Sequence, residues 1–229
     1  QNDCSGQASA DSSAWVGPVT FLTPCVSVST FPYTENFDNS PWVPNMSWNT
    51  NQDTINACWS RDPVQPAWSY QWLVRTGSTS TNNTGPSTDK SGVGNYIYAE
   101  GSMSGTGVGY MTSPVFDMTS LTSPWMSFYY HMYGTGIGTL AVEASTDGVT
   151  WVGVDSISGQ QQMSSTDVWK KMFVDLSSYS TTSTQFRLKA VRGSDSNSDI
   201  AVDEIKIEEA PACKPITGIA FQNVRVQVQ

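Results

Sequence analysis

The single histidine, His131, is the first residue to weigh for catalysis, because imidazole is the side chain that titrates near neutral pH. It lies in an aromatic run that extends from Trp125 to Tyr133. No serine or cysteine stands near it in a nucleophile pattern such as G-x-S-x-G. One histidine also excludes a multi-histidine metal site and most Cys–His chemistry. The sequence therefore predicts a packed, hydrogen-bonded structural histidine and no catalytic residues.

The tryptophans divide into two groups by their surroundings in the sequence. Four fall at strand-like positions, which predicts that they belong to the core: Trp59, Trp72, Trp151 and Trp169. Three others lie in loops rich in Pro and Asn, where an exposed ring would stack on a sugar face: Trp42, Trp48 and Trp68. The alternative for these three is burial as hydrophobic plugs. The loop tryptophans are the candidate ligand-binding residues.

Charge and composition narrow the class of partner. The net charge is −9 with only 11 basic residues, spread thinly, which argues against nucleic acid or anionic lipid as a partner. No apolar run approaches the roughly 18 residues of a membrane helix, so no membrane insertion is expected. No signal peptide is present, and we expect any export signal to have been removed or to lie outside this sequence. Abundant Ser and Thr with few helix formers favours a secreted all-β protein.

The four cysteines, at positions 4, 25, 58 and 213, are too far apart for a C-x-x-C zinc or redox pattern. An even number at long spacing in an acidic chain favours disulfides and an oxidising compartment. Buried free thiols are the alternative, and spacing alone does not give the pairing. The glycine-rich run 101–109 lacks the lysine and the following helix of a phosphate-binding loop, so we expect a flexible loop there.

Strand signals dominate the chain. Runs of β-branched, aromatic and alternating apolar residues predict strands over 95–100, 125–133, 139–145, 150–154, 170–176, 184–191 and 200–207. Asp147-Gly148 is a hairpin signal between two of them. No amphipathic helix is evident, and a short helical turn is predicted near Leu176–Tyr179. The strand spacing favours an antiparallel β-sandwich.

Several motifs in order resemble those of the MAM domain, the extracellular jelly-roll module named after meprin, A5 and the receptor phosphatase mu. They cover most of residues 33–209 and comprise Asn36-Phe37-Asp38, Cys58-Trp59, Trp72 with Gly77, Thr84–Asp89, Gly94–Glu100, Met111–Pro114, Phe128–Gly134 with Gly138–Leu140, Trp169, Arg192-Gly193 and Asp199–Ile205. The resemblance implies an all-β antiparallel jelly-roll sandwich over residues 26–210.

Both ends of the sequence look different from this middle part. Residues 1–25 resemble the end of a fibronectin type III repeat and residues 211–229 the start of another. Together they imply a window cut from a longer array, of the kind found in secreted multidomain proteins of Bacteroidota, some of which leave the cell by type IX secretion. The other domains of that chain would be its first partners.

The resemblance also implies a disulfide. The family usually places a cysteine just before the opening acidic-Phe motif, where this chain has Glu35. Cys25 would take its place and pair with Cys58, whereas Cys4 and Cys213 would belong to the neighbouring repeats.

A calcium site is the expectation for the carboxylates in the family motifs. In a jelly roll the first and last strands run side by side, so Asp38 and Asp203 would meet and need a cation between them. We expect Asp38, Asp89 and Asp203 as ligands of a structural calcium ion, with Asn36 and Asp199 as weaker candidates. Hydrogen-bonded caps at turns and strand ends are the alternative, and a glycosidase-like acid pair has no residue marked as its general acid.

Two functions follow from the resemblance and the residues. The first is a non-catalytic adhesion, binding or spacer module, extracellular or at the cell surface, that binds surface proteins. The second is a carbohydrate-binding module that delivers an attached secreted enzyme or protease to a polysaccharide. Exposed tryptophans on one concave sheet face would favour the second.

Overall fold

The computed structural model describes residues 25–45, 53–64, 69–103 and 107–211. These contain eleven β-strands: β1 (Tyr33–Glu35), β2 (Ser60–Asp62), β3 (Trp72–Thr76), β4 (Asn95–Ala99), β5 (Val108–Thr112), β6 (Pro124–His131), β7 (Thr139–Ser145), β8 (Val152–Ser158), β9 (Lys170–Asp175), β10 (Gln185–Val191) and β11 (Ile200–Glu209). A turn of 3-10 helix, Ser177–Tyr179, follows β9 where the sequence predicts a helical turn.

The strands form two antiparallel sheets. The first has the order β3-β4-β11-β6-β9, and β1 adds to β11; the second has the order β2-β5-β10-β7-β8. Strand β11 is the longest, and β4 and β1 share one of its edges, β4 pairing with Ile200–Val202 and β1 with residues 205–207. Strand β6 pairs along the other edge. This architecture confirms the predicted all-β jelly-roll sandwich.

Alternation of side chains buries the facing sides of both sheets. In β7 and β10, every second residue is buried, for example Leu140 and Val142 opposite Leu188 and Ala190. Their neighbours in sequence point to solvent, which is the pattern that the sequence showed for 139–145. The core between the sheets is formed by these aliphatic residues together with aromatic side chains from the first sheet, such as Trp72 and Phe128.

Strands β3 and β4 are buried on both faces. A second cluster on the outer side of the first sheet consists of Leu73, Tyr96, Tyr98, Met103 and Ala201, with Trp169 packed against it. Because residues on successive positions of β4 point to opposite clusters, the strand reads as an unbroken run, Tyr96-Ile97-Tyr98-Ala99, rather than an alternating one.

Two local predictions are wrong. Residues 108 and 109 of the glycine-rich run belong to β5 rather than to a flexible loop. The Gly109 carbonyl accepts a hydrogen bond from Trp72 Nε1 at 3.1 Å, and a β-carbon at 109 would lie 2.8 Å from the Tyr70 carbonyl, so the close approach requires glycine. Trp151 is not a core residue. It lies half-buried on the outer face of the second sheet, 4.4 Å from the Arg187 guanidinium.

Cys25 and Cys58 form a disulfide, the pairing that the family resemblance implied. It joins the segment before β1 to the segment before β2. The predicted fibronectin-like ends, together with Cys4, Cys213, Trp48 and Trp68, lie outside the described residues, and the predictions about them stay predictions.

Candidate functional site

Trp42 is not an exposed sugar-stacking residue as the sequence suggested. Only 4% of it is exposed, because it packs into the core cluster between the sheets. Its ring meets Phe37 edge-on with centroids 4.9 Å apart and Trp59 at 5.9 Å. Trp42 therefore closes the core, which is the plug alternative.

The outer side of this plug borders a pocket of about 520 Å³. The pocket is assembled from β1, the loop after it, the segment before Cys58, and strands β6, β9 and β11. Its lining is mostly polar and consists of Thr34, Glu35, Asn36, Asn39, Ser40, Trp42, Asn56, Tyr129, Lys171, Glu204, Ile205 and Lys206. No motif in the sequence marked this pocket, because its lining comes from five separate segments.

An irregularity in β11 shapes one wall of the pocket. The register of β11 against β6 shifts between Asp203 and Lys206, and Glu204 adopts a left-handed backbone with φ of 47°. Phe37, in the loop that follows the neighbouring strand β1, also has a positive φ, 61°. Such conformations are costly for residues with a β-carbon and persist where the surroundings impose them. The bulge turns the Glu204 and Lys206 side chains toward the pocket.

Charges around the pocket are largely paired. The Lys90 ammonium lies 3.2 Å from the Glu204 carboxylate, and Lys206 pairs with Glu208 at 2.6 Å. Lys90 and Lys171 both lie near the Tyr129 ring, 4.7 and 5.2 Å from its centroid. The result is a polar pocket with no strong excess of either charge.

Next to the pocket, at the start of β4, lies the predicted calcium cluster. Asp38 accepts hydrogen bonds from the Asn95 amide at 2.6 Å and from Asn36 Nδ2 at 2.8 Å. Asp203 accepts from the backbone amides of Lys90 and Glu204. Burial raises the pKa of the Asp203 carboxyl to about 7 despite these hydrogen bonds, and the neighbouring Asp89 adds to the rise. We call Asp38, Asp89 and Asp203, with Asn36, the Asp38 cluster.

Two observations bear on whether this cluster suits a cation. Asp89 Oδ1 is buried without a hydrogen-bond partner. Asp38 and Asp89 also converge on Gly94, where a β-carbon would clash with Asp38 Oδ1 and lie 2.9 Å from Asp89 Oδ2. Both features suit a positive ion, although within the described ranges no three acidic, histidine or cysteine side chains are already arranged as a metal site.

Asp199 does not belong to this cluster, which corrects the prediction that it is a weaker ligand of the same ion. Its Oδ1 accepts from the Gly101 amide at 2.7 Å, beyond the other end of β4. The five residues of β4 separate the two places by about 17 Å at about 3.4 Å per residue. One ion cannot contact both.

Asp199 instead faces Glu100, and both side chains are fully buried. Glu100 accepts hydrogen bonds from Tyr98 Oη at 3.0 Å and from the amide and hydroxyl of Ser102. Asp199 Oδ2 has no hydrogen-bond partner. Burial, followed by the nearby Glu100 carboxylate, raises the pKa of Asp199 well above its usual range. Burial beside a second carboxylate therefore favours the protonated form of Asp199.

His131 is packed, as predicted, but it is not hydrogen-bonded. It is fully buried on the outer side of the first sheet, its ring 5.6 Å from that of Trp169, and both ring nitrogens lack a hydrogen-bond partner. Burial lowers its pKa to about 4, against a smaller opposing effect of Asp167. The imidazole is neutral at physiological pH.

Residues 50–214 match the family model of the MAM domain, meprin/A5/mu. The chain belongs to the MAM family. The match begins after β1, whereas the pairing of β1 with β11 and the Cys25–Cys58 disulfide place earlier residues in the same sandwich.

Curated relatives share about a third of the residues over the matched region. The chain is 32% identical over 148 residues to human MAM domain-containing protein 2, covering 61% of this chain and 20% of that protein. It is 33% identical over 164 residues to zebrafish (Danio rerio) neuropilin-1a, covering 65% of this chain and 17% of that protein. The chain thus spans about a fifth or less of the length of these two relatives.

Among solved structures, the K1 cleaved adhesin domain of Lys-gingipain from Porphyromonas gingivalis W83 has a similar fold. The TM-score is 0.50 at 14% identity, with 79% of this chain and 99% of that domain covered. At this identity the likeness concerns the fold alone. In the described part of this chain, no helix is long and apolar enough to cross a membrane.

Proposed function

We propose that this MAM domain is a non-catalytic binding module of a longer extracellular or cell-surface protein, working by adhesion or as a spacer. Its membership in the MAM family over residues 50–214 carries this proposal. Human MAM domain-containing glycosylphosphatidylinositol anchor protein 2, 32% identical over 161 residues, is named for a surface anchor. The Cys25–Cys58 disulfide supports the same location, since disulfides persist mainly in oxidising compartments.

An adhesion assay tests this function. Beads coated with the chain should attach to one another, or to films of extracellular matrix protein or polysaccharide, more than beads coated with heat-unfolded chain. The chain should not hydrolyse casein or chromogenic glycosides. Hydrolysis that is lost in His131→Ala or Asp203→Asn, while the fold is retained, would contradict the non-catalytic proposal.

The Asp38 cluster is proposed to hold a structural calcium ion. Asp38, Asp89 and Asp203 would supply carboxylate ligands, and Asn36 is the weaker candidate. The unpartnered Asp89 Oδ1 and the convergence of two carboxylates on Gly94 support this assignment. Because Asp38 follows β1 and Asp203 lies in β11, the ion would neutralise the cluster and fasten the first strand to the last.

A carbohydrate-binding module is the second candidate, and it rests on the pocket beside Trp42. The pocket combines five uncharged polar side chains with two aromatic ones, the half-buried Tyr129 and the buried Trp42. In either case we propose domain limits of 26–210 and fibronectin type III-like neighbours, as in the secreted arrays of Bacteroidota. A longer recombinant segment of the parent protein would test those limits by limited proteolysis.

A further inference from the structure

We infer that the pocket lined by β1, the bulge of β11 and Tyr129 binds a short neutral oligosaccharide, with Tyr129 under one sugar ring. This inference rests on the second candidate function and names its site and ligand class. A volume of about 520 Å³ suits a small ligand, since such pockets occupy about 300–1,000 Å³.

Most uncharged polar groups of the lining are free to bind hydroxyls, the exception being Asn36, which is bonded to Asp38. Among the described residues, the side chains of Thr34, Asn39 and Ser40 form no hydrogen bonds, and Asn56 uses only its Oδ1, which accepts from the Cys58 amide. An asparagine amide both donates and accepts, and each hydroxyl of a sugar does the same. Neighbouring hydroxyls on a pyranose ring therefore match this set better than a ligand with one kind of polar group.

Tyr129 supplies the aromatic surface that sugar rings need. It is half-buried at the middle of β6, so its position is set by pairing to both β9 and β11. Lys171, which lies beside the ring, is exposed and forms no ion pair with another described residue. It can leave the ring face and donate to a hydroxyl.

The charges of the lining disfavour other ligand classes. Lys206 is already paired, and Lys90 neutralises Glu204. The unpaired Lys171 shares the lining with Glu35, which offsets its charge, so there is little attraction for a phosphate or sulfate on a chain of net charge −9. A cationic ligand would meet Lys90 and Lys171 at the Tyr129 ring. An apolar ligand would leave the Asn and Ser groups without partners. A neutral polyol suffers none of these penalties.

The backbone around the pocket adds independent support. Phe37 follows the β1 part of the lining and Glu204 lies in the β11 part, and they are two of the three residues other than glycine that have a positive φ in the described chain. Bulges and strained backbones occur often beside binding sites, where they aim particular side chains. Here the bulge turns Glu204 and Lys206 toward the pocket.

Calorimetry and saturation-transfer NMR with the 229-residue chain would test the inference, using cellotriose, xylotriose, mannotriose, galactotriose and maltotriose as probes. At least one probe should bind. Tyr129→Ala should weaken binding at least about tenfold, the equivalent of about 1.4 kcal/mol, whereas Tyr129→Phe should retain it. Asn39→Ala should weaken it as well. Phe173→Ala is the matched control, because this ring is 50% exposed on β9 but does not line the pocket.

The inference fails if none of the five probes binds, if Phe173→Ala rather than Tyr129→Ala removes binding, or if sulfated oligosaccharide or inorganic phosphate binds in their place. Circular dichroism would establish that each variant is folded. Bead adhesion to protein that survives Tyr129→Ala, in a chain that binds no sugar, would overturn this site while leaving the adhesion function intact.

Discussion

The two ends of strand β4 carry acidic side chains in contrasting environments. At the start, Asp38 is exposed, and Asp38 and Asp203 accept hydrogen bonds from backbone amides. Beyond the other end, Glu100 and Asp199 are sealed together and the pKa of Asp199 is raised by burial. Asp203 at the first end is buried as well, and its pKa is raised to about 7, but its cluster reaches solvent at Asp38, whereas the Glu100–Asp199 pair has no exposed member. Acidic residues in one set of family motifs therefore lie in two different environments.

The largest expected loss of stability comes from removing the Glu100 side chain at the buried end of β4. Glu100→Ala would leave the buried Tyr98 Oη and the half-buried Ser102 amide without their acceptor. Since each unsatisfied buried donor costs about 1–3 kcal/mol, the free energy of unfolding should fall by about 3–5 kcal/mol, measured by urea denaturation.

The matched control is Glu204→Ala at the other end, where the partly exposed pair with Lys90 contributes at most about 1 kcal/mol. Equal losses in the two variants would mean that burial does not distinguish the ends.

The sealed region extends across the sheet to His131, which lies in the same row as Ala201 and Tyr98. Its folded pKa of about 4 is below the ordinary 6.5. As the pH falls through 6.5, the unfolded chain takes up the proton first, so stability is lost between pH 6.5 and 4. The loss should reach about 3 kcal/mol at most. His131→Phe should reduce this acid-side slope in a series of denaturation curves, and an unchanged slope would assign it to other groups.

Added calcium should raise the melting temperature through the Asp38 cluster at one end of β4 and not through Asp199 at the other. If the Asp38 cluster binds the ion, calcium at about 100 times its Kd stabilises the fold by about 2.7 kcal/mol, a rise of several degrees. Chelator should reverse it.

Asp38→Asn should remove most of this response, whereas Asp199→Asn should keep it because Asp199 lies about 17 Å away along β4. A melting temperature that changes with neither calcium nor chelator would contradict the proposed site.

The smallest effect is expected for Asp199→Asn itself. Burial and the nearby Glu100 carboxylate raise the pKa of this carboxyl and favour its neutral form. The neutral amide of asparagine has nearly the same shape and keeps an oxygen that accepts from the Gly101 amide. The free energy of unfolding should change by less than about 1 kcal/mol at pH 7. A large loss would mean that Asp199 is ionised in the folded chain.

Sequence patterns predicted the elements whose signal is local. Strand β7 has the predicted bounds, 139–145, because alternation along one strand is sufficient to place its faces. Family motifs also implied the partner of Cys58. The burial of Trp42 was harder to predict, because it depends on packing contacts with Phe37 and Trp59.

Predicting that Asp199 lies far from Asp38 would have required the strand register, and no sequence motif specifies that register. The same holds for the pocket, whose lining is drawn from distant segments. In the sequence its polar residues resemble those of ordinary loops, and only the folded chain brings them together. Local signals thus sufficed for strands, whereas the site depended on topology.

Strand β11 comes last among the described strands yet lies in the interior of its sheet, between β4 and β1 on one side and β6 on the other. During synthesis, the edges of β4 and β6 that pair with β11 therefore stay unpaired until residues 200–209 leave the ribosome. Exposed edges of this kind invite pairing with other chains. A protease that removed this strand would likewise dismantle the whole sandwich rather than trim it.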